Sequence, residues 1–240
     1  SWNQLGNDID GEATYNYFGW SLSLSSDGMT VAVGAPYNQS NGTNSGHVRI
    51  YSWDGFSWNQ LGADIDGEAQ GDESGHSVSI SSDGMTVAIG ALGNDGNGTN
   101  SGHVRIYSWD GSSWNQLGND IDGEAVGDLS SRSISLSSDG MTVAIGAIYN
   151  DANEVNSGHV RIFNYDCSGC TDSTAYNYDP LATQDDGSCQ YCDISATTFY
   201  SNPSSSSSCD GYIFGNISTS NILGPTLIFN LDTTVFYSTI

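Results

Sequence analysis

The sequence predicts an all-β protein, and three observations carry that prediction. A block of 56 residues occurs three times in succession. Short alternating runs are divided by Asp-Gly turns, and no segment shows a convincing 3.6-residue apolar period.

Trp2-Asn3-Gln4-Leu5-Gly6 marks the period, returning at Trp58 and at Trp114, with the register kept as far as Arg161-Ile162-Phe163. Each repeat reads as four short strands. The outermost candidate is Trp2 to Leu5. The second, Trp20 to Leu24, alternates with period two. Ser26-Asp27-Gly28-Met29 then turns the chain, because glycine accepts the positive φ that a tight hairpin requires. The third strand is Thr30 to Ala35 and the fourth His47 to Tyr51. Trp53-Asp54-Gly55 turns into the next repeat.

The third strand carries the architecture. Val31, Val33 and Ala35 share one face, Ala32 and Gly34 the other, and neither face is polar. A sheet with two apolar faces must be covered on both sides. Radial stacking gives a β-propeller; open stacking gives a solenoid. Propellers close with about four to eight blades. Three four-stranded, propeller-like blades therefore predict an open or partial β-propeller, with Trp2 to Leu5 unpaired to His159 to Phe163.

The Phe18-Gly19 and Gly34-Ala35-Pro36 marks of the first repeat resemble those of the FG-GAP repeat, the blade of integrin-type β-propellers. The other repeats keep Gly90-Ala91 and Gly146-Ala147 but lose the Phe and the Pro. The resemblance covers roughly residues 1–165. It implies an extracellular recognition role and a calcium loop just before the Gly-Ala strand. That place holds Ser25-Ser26-Asp27-Gly28-Met29, whose one carboxylate is too few for a cation that takes about six to eight oxygens. The same turn is similar to the Asp-box of sialidase propellers, but here Gly follows Asp directly and no Trp follows.

Domain boundaries follow from composition: 1–166 for the repeats, 167–192 for a cysteine-bounded module, and 193–240 for a segment that resembles the start of an Ig-like β-sandwich. The module resembles those of secreted, surface-attached proteins of Bacteroidetes-type and marine bacteria. Cys167-x-x-Cys170 and Cys189-x-x-Cys192 have the spacing of a zinc ribbon. The surrounding chain has no lysine and is rich in Gly, Asn and Ser, which favours an oxidising compartment and disulfides. Five cysteines leave several connectivities open. The module's boundaries favour Cys170–Cys189, then Cys192–Cys209, with Cys167 left over.

The chain has 28 acidic residues against four arginines, a formal charge of -24. Such a surface repels phosphate backbones and anionic membranes, so nucleic acid is excluded as a partner class. No apolar run is long enough to span a bilayer. Both ends fall inside patterned segments, so the chain reads as a mature or excised piece.

Carboxylates recur in the acidic turn: Asp8, Asp10 and Glu12; Asp64, Asp66 and Glu68; Asp120, Asp122 and Glu124. Alternate acids in a turn are candidate calcium ligands; the competing reading is a solvated strand end. Asp172, Asp179, Asp185 and Asp186 form a second candidate calcium cluster. His47, His103 and His159 recur once per repeat, which points to packing rather than catalysis, and His76 is unrepeated. A single active site needs asymmetric partners that threefold repetition does not supply. No enzyme is expected. Asn41-Gly42-Thr43 and Asn97-Gly98-Thr99 have the glycosylation pattern but read as turns.

The differences between repeats concentrate in two connections, Thr14 to Phe18 and Pro36 to Asn44 with their equivalents. In an up-and-down blade both lie on one rim. That rim, with Tyr15, Tyr17, Tyr37, Asp72, Asp95 and Asp151, is the expected ligand surface, for a glycan or a protein. The alternatives are the non-catalytic part of a secreted glycan-active enzyme and a structural spacer of a surface fibre.

Overall fold

The computed structural model describes residues 1–165. It also describes 168–169, 171–175, 182, 184–185 and 187–189, and the backbone of four later strands. The chain divides into two units, Ser1–Tyr165 and Asp166–Ile240.

The first unit is three stacked antiparallel sheets. In the first, β1 (Ser21–Leu24), β2 (Thr30–Ala35), β3 (His47–Trp53) and β4 (Trp58–Gln60) lie in order, and β5 (Ile65–Asp66) also pairs with β3. The second repeats this with β6 (Ser74–Ile80), β7 (Thr86–Ala91), β8 (His103–Trp109), β9 (Trp114–Gln116) and β10 (Ile121–Asp122). The third has β11 (Ser130–Leu136), β12 (Thr142–Ala147) and β13 (His159–Asn164). No helix occurs among the described residues.

The outer strand of the first two blades comes from the following repeat: Trp58 pairs with Trp53, and Trp114 with Trp109. It is also split. Trp58–Gln60 covers the far half of β3, and the acidic turn returns at Ile65–Asp66 to cover His47 and Val48. Trp58–Gln60 and Trp114–Gln116 are strands because they pair with β3 and β8; their equivalent Trp2–Leu5, expected as a strand, is not one. It does not meet β13, so the three blades form an open array.

Both faces of β2 are buried, as its two apolar faces require. Ala32, Val48 and Ile50 of the first blade pack on Val78, Ile80, Val87 and Ile89 of the second. Ala88, Val104 and Ile106 do the same against Val143 and Ile145. Gly34 explains the Gly-Ala mark. A Cβ there would lie 2.1 Å from the Gly75 carbonyl oxygen, so only glycine lets the next blade approach. Side-chain hydroxyls stitch the seam in register: Ser21 Oγ donates to Gly75 O at 2.7 Å, and Ser77 Oγ to Ser131 O at 2.7 Å.

In the second unit, β14 (Ser168–Gly169) pairs parallel with β15 (Gln184–Asp185). β16 (Ile194–Tyr200) pairs with β17 (Ile213–Thr219), and β18 (Leu227–Leu231) with β19 (Thr234–Ser238), both antiparallel. Cys189 is disulfide-bonded. Cys167, Cys170, Cys192 and Cys209, and with them the expected pairings, lie outside the described residues.

Candidate functional site

The two rims of the array differ in construction. On one, the Ser-Asp-Gly-Met turns are the same three times. Ser25 Oγ bonds Asp27 at 2.6 Å, and Asp27 accepts the Met29 amide at 2.9 Å. Those two bonds hold the Asp27 carboxyl below its ordinary value. Successive turns join directly, Ser26 N to Ser82 O and Ser82 N to Ser138 O.

On the other rim the loop after β2 pairs with the loop that enters the next blade. Gly71, Glu73 and Ser74 donate their amides to Thr43, Asn44 and Ser45, and Gly127, Leu129 and Ser130 repeat the pattern on the next loop. Asn41 Nδ2 bonds the Gly67 and Glu68 carbonyls, as Asn97 Nδ2 bonds those of Gly123 and Glu124. Both sequon asparagines are thus inter-blade staples. The backbone repeats where the side chains do not: Tyr17, Glu73 and Leu129 occupy equivalent positions with φ of 51°, 56° and 47°. Left-handed backbone at non-glycine residues is strained, and at Glu73 and Leu129 the amide bonds to Asn44 and Asn100 of the paired loop hold it.

The first blade's rim gathers aromatics. Tyr17 meets Tyr37 at 5.4 Å between ring centroids, Trp20 at 6.3 Å and Tyr15 at 6.5 Å; Trp20 also meets Tyr37 at 5.8 Å and His76 at 5.5 Å. Tyr15, Tyr17 and Trp20 are exposed. Burial raises the Tyr37 hydroxyl, helped by the negative charge of Glu73. Burial likewise raises the Glu73 carboxyl and lowers His76 to about 4, the latter with help from Arg132. Three expected tyrosines therefore come together. Trp20, Glu73 and His76 join them without having been singled out. The signal was available, since Trp20, His76 and Arg132 are equivalent positions holding three unlike residues.

The three aspartates expected on this rim behave otherwise. Asp72 is a correction: it is only 4% exposed, and its carboxylate accepts the Ala69 amide within its own loop. Its equivalents Asn16 and Asp128 are buried too, so the position is structural. Asp95 and Asp151 are exposed, and each ties its loop by accepting the Asn100 or Asn156 amide.

Carboxylates of the acidic turns converge beneath this rim. Asp64 takes two bonds from Arg49, both 2.8 Å, and Glu12 of the preceding turn bonds the same guanidinium. His47 Nδ1 lies 3.5 Å from Asp64. In the next blade Glu68 faces Arg105 at 3.5 Å and Asp120 faces His103 at 3.7 Å; in the third, Glu124 faces His159 at 3.6 Å and Arg161 at 3.9 Å. Glu12, His47 and Asp64, like Glu68, His103 and Asp120, bring ligand-type atoms within 4.8 Å of one another. The arginine beside each set already supplies the positive charge, which suits these carboxylates to an ion pair rather than to calcium. Burial works to raise Asp64, but the bonds from Arg49 and Gln60 win and hold it low. Burial lowers His47 and His103, so both are neutral packing residues near pH 7.

Asp8 accepts the Gln4 amide, and Asp66 and Asp122 present backbone carbonyls to Arg105 and Arg161. Asp10 is exposed with no hydrogen bond of its own side chain. Asp172 and Asp185 cap local turns at Thr174 and Gly187. Asp179 and Asp186 lie outside the described residues.

Residues 9–51 and 63–107 match the FG-GAP repeat family. No curated protein matches the chain. Among solved structures it is similar to Kuenenia stuttgartiensis hydrazine synthase, at 14% identity and a TM-score of 0.39, over 66% of this chain and 36% of that one. The chain thus spans about a third of that relative's length.

Proposed function

We propose, from the premise that the first two blades are FG-GAP repeats, that this chain is an extracellular, non-catalytic recognition segment. Its ligand contact is the variable rim, and the favoured ligand is a surface glycan. FG-GAP repeats commonly occur in extracellular, adhesion-type propellers. The observation that carries the reading is the cluster of Tyr15, Tyr17, Trp20 and Tyr37 on strained loops. Exposed rings held at fixed angles offer apolar faces for sugar stacking, with hydroxyls at their edges. The carboxylates beside Arg49, Arg105 and Arg161, by contrast, recur in every blade and are absorbed in ion pairs, which is a scaffold pattern.

The test is a glycan array probed with the chain and with a triple variant, Tyr15→Ala, Tyr17→Ala and Tyr37→Ala. A loss of about tenfold or more in affinity, equal to about 1.4 kcal/mol, is expected. Grafting residues 70–74 and 92–100 into the first blade should do the same. Binding untouched by both changes overturns the glycan reading. Surface-protein ligands are then the reading to pursue with the same variants.

A further inference from the structure

In the second blade one histidine nitrogen has no role in the scaffold. His103 is 1% exposed, and its Nδ1 is buried with no hydrogen-bond partner among the described residues. Buried polar atoms are nearly always paired, so an orphan calls for a reason. This one is aimed between two carboxylates: Asp120 Oδ2 lies 3.7 Å away and Glu68 Oε2 3.9 Å. Both distances are too long for a hydrogen bond. Three ligand-type atoms thus converge within 4.8 Å of one another. We propose that Glu68, His103 and Asp120 form a binding site for a divalent transition ion of the zinc class.

The groups behind the carboxylates fit that role. Asp120 Oδ1 accepts the Gln116 side-chain amide at 2.6 Å, which leaves Oδ2 turned toward the histidine. Glu68 Oε1 faces Arg105 at 3.5 Å, which leaves Oε2 turned the same way. Metal sites orient their ligands by outer contacts of this kind. Arg105 gives another nitrogen to the Asp66 carbonyl at 2.8 Å, so it does not cover the inward oxygens.

The first blade is a built-in comparison. There Arg49 bonds both oxygens of Asp64 and also Glu12, and the guanidinium already serves as the cation. In the third blade Glu124 and His159 face each other at 3.6 Å, but position 176, equivalent to Asp120, is tyrosine. The second blade alone of the three combines both carboxylates with an arginine that leaves them open.

The donor set selects the ion. Calcium takes about six to eight oxygens, whereas one imidazole nitrogen and two carboxylates suit four-coordinate zinc with water in the last place. Zinc–ligand bonds of about 2.0–2.2 Å set neighbouring ligand atoms about 3.3 Å apart. The Glu68 and Asp120 side chains are 44% and 30% exposed, so they have room to close the remaining gap on a fixed His103. Glu68 follows β5 on the first blade, His103 opens β8 of the second, and Asp120 precedes β10. A bound ion therefore clamps the turn of one blade to the strand of the next.

The experiment is a Zn2+ titration of the full chain, with its thiols alkylated so that cysteine does not compete. Calorimetry gives the affinity, and thermal melting reports the clamp. Asp120→Asn, Glu68→Gln and Asp64→Asn are the variants, and circular dichroism verifies that each folds. The expected results are one Zn2+ bound per chain at micromolar concentration and a higher melting temperature with zinc. Asp120→Asn and Glu68→Gln should each weaken binding at least as much as the about 10–100-fold typical of losing an outer-shell partner. Asp64→Asn should bind as the wild type does. No binding by the wild type, binding that survives both second-blade substitutions, or displacement of Zn2+ by an equal concentration of Ca2+ overturns the proposal. So does a loss in Asp64→Asn equal to that in Asp120→Asn, because the ion would then not be held by the second blade.

Discussion

The seam between blades and the variable rim above it are made by the same connections, and they tolerate opposite things. At the seam the backbone repeats, and so do the serines that bond across it. Gly34 stands where the next blade's Gly75 carbonyl arrives and Gly90 where the Ser131 side chain does, and a serine hydroxyl meets the same carbonyl position in both junctions. On the rim only the backbone repeats. Position 17 and its equivalents hold Tyr, Glu and Leu at nearly one φ, and position 20 and its equivalents hold Trp, His and Arg. In the second and third blades the paired loops supply the shape through main-chain bonds, which do not depend on side-chain identity. That leaves the side chains there free to vary.

The largest effect should come from breaking the seam. Gly34→Ala drives a Cβ onto backbone at 2.1 Å, whereas Gly146→Ala meets only the Ser133 hydroxyl at 2.8 Å. Urea unfolding should show a loss of roughly 3 kcal/mol for the first and under about 1.5 kcal/mol for the second. Equal losses would mean that the glycine serves its own strand and not the junction.

The ion pair beneath the rim comes next. Arg49→Ala leaves Glu12 and Asp64 facing each other without their shared cation. A loss of about 2 kcal/mol is expected, discounted from that of a fully buried pair because Glu12 is half exposed. Recovery in Arg49→Ala/Glu12→Gln would show that repulsion, and not lost packing, carries the cost.

His76 lies where seam and rim meet, and it sharpens the comparison through pH. Its folded-state value is depressed to about 4, so the neutral ring is the form that the fold accepts. Its contribution is whole above the unfolded value, near 6.5, and falls as pH drops from there toward 4. His76→Gln should remove about 1–3 kcal/mol of that dependence, read as the difference between the two stability–pH curves. Parallel curves would place the ring in water.

The smallest effect belongs to the rim backbone. Leu129 holds φ at 47°. Leu129→Gly should be neutral or raise stability by about 0.5–1 kcal/mol, since relief of strain slightly exceeds glycine's entropic cost. A clear destabilisation would show that the side chain, and not the paired loop, sets the conformation.

Much of this architecture was legible in the sequence because it depends on local pattern. The strand β2 announces its two buried faces by the absence of polar residues on either, and Ser26-Asp27-Gly28-Met29 announces its turn by the residue that tolerates positive φ. The grouping of both variable connections on one rim follows from strand alternation alone, and the paired loops bear it out. Trp2–Leu5 forms no strand for the converse reason: a strand needs a partner, and in the other repeats that partner is β3 or β8.

What only the tertiary structure decided is the fate of individual polar side chains. Glu12 and Asp64 come from different repeats and meet on one guanidinium, a contact between turns that the acidic pattern alone does not announce. Asp72 and Asp95 look alike in sequence, yet one is buried within its loop and the other faces solvent. Trp20 and His76 meet across 56 residues of chain. Period and turn chemistry are set by neighbours in sequence. Charge pairing, desolvation and ring contact are set by neighbours in space, and in a stacked repeat those neighbours belong to the adjoining blade.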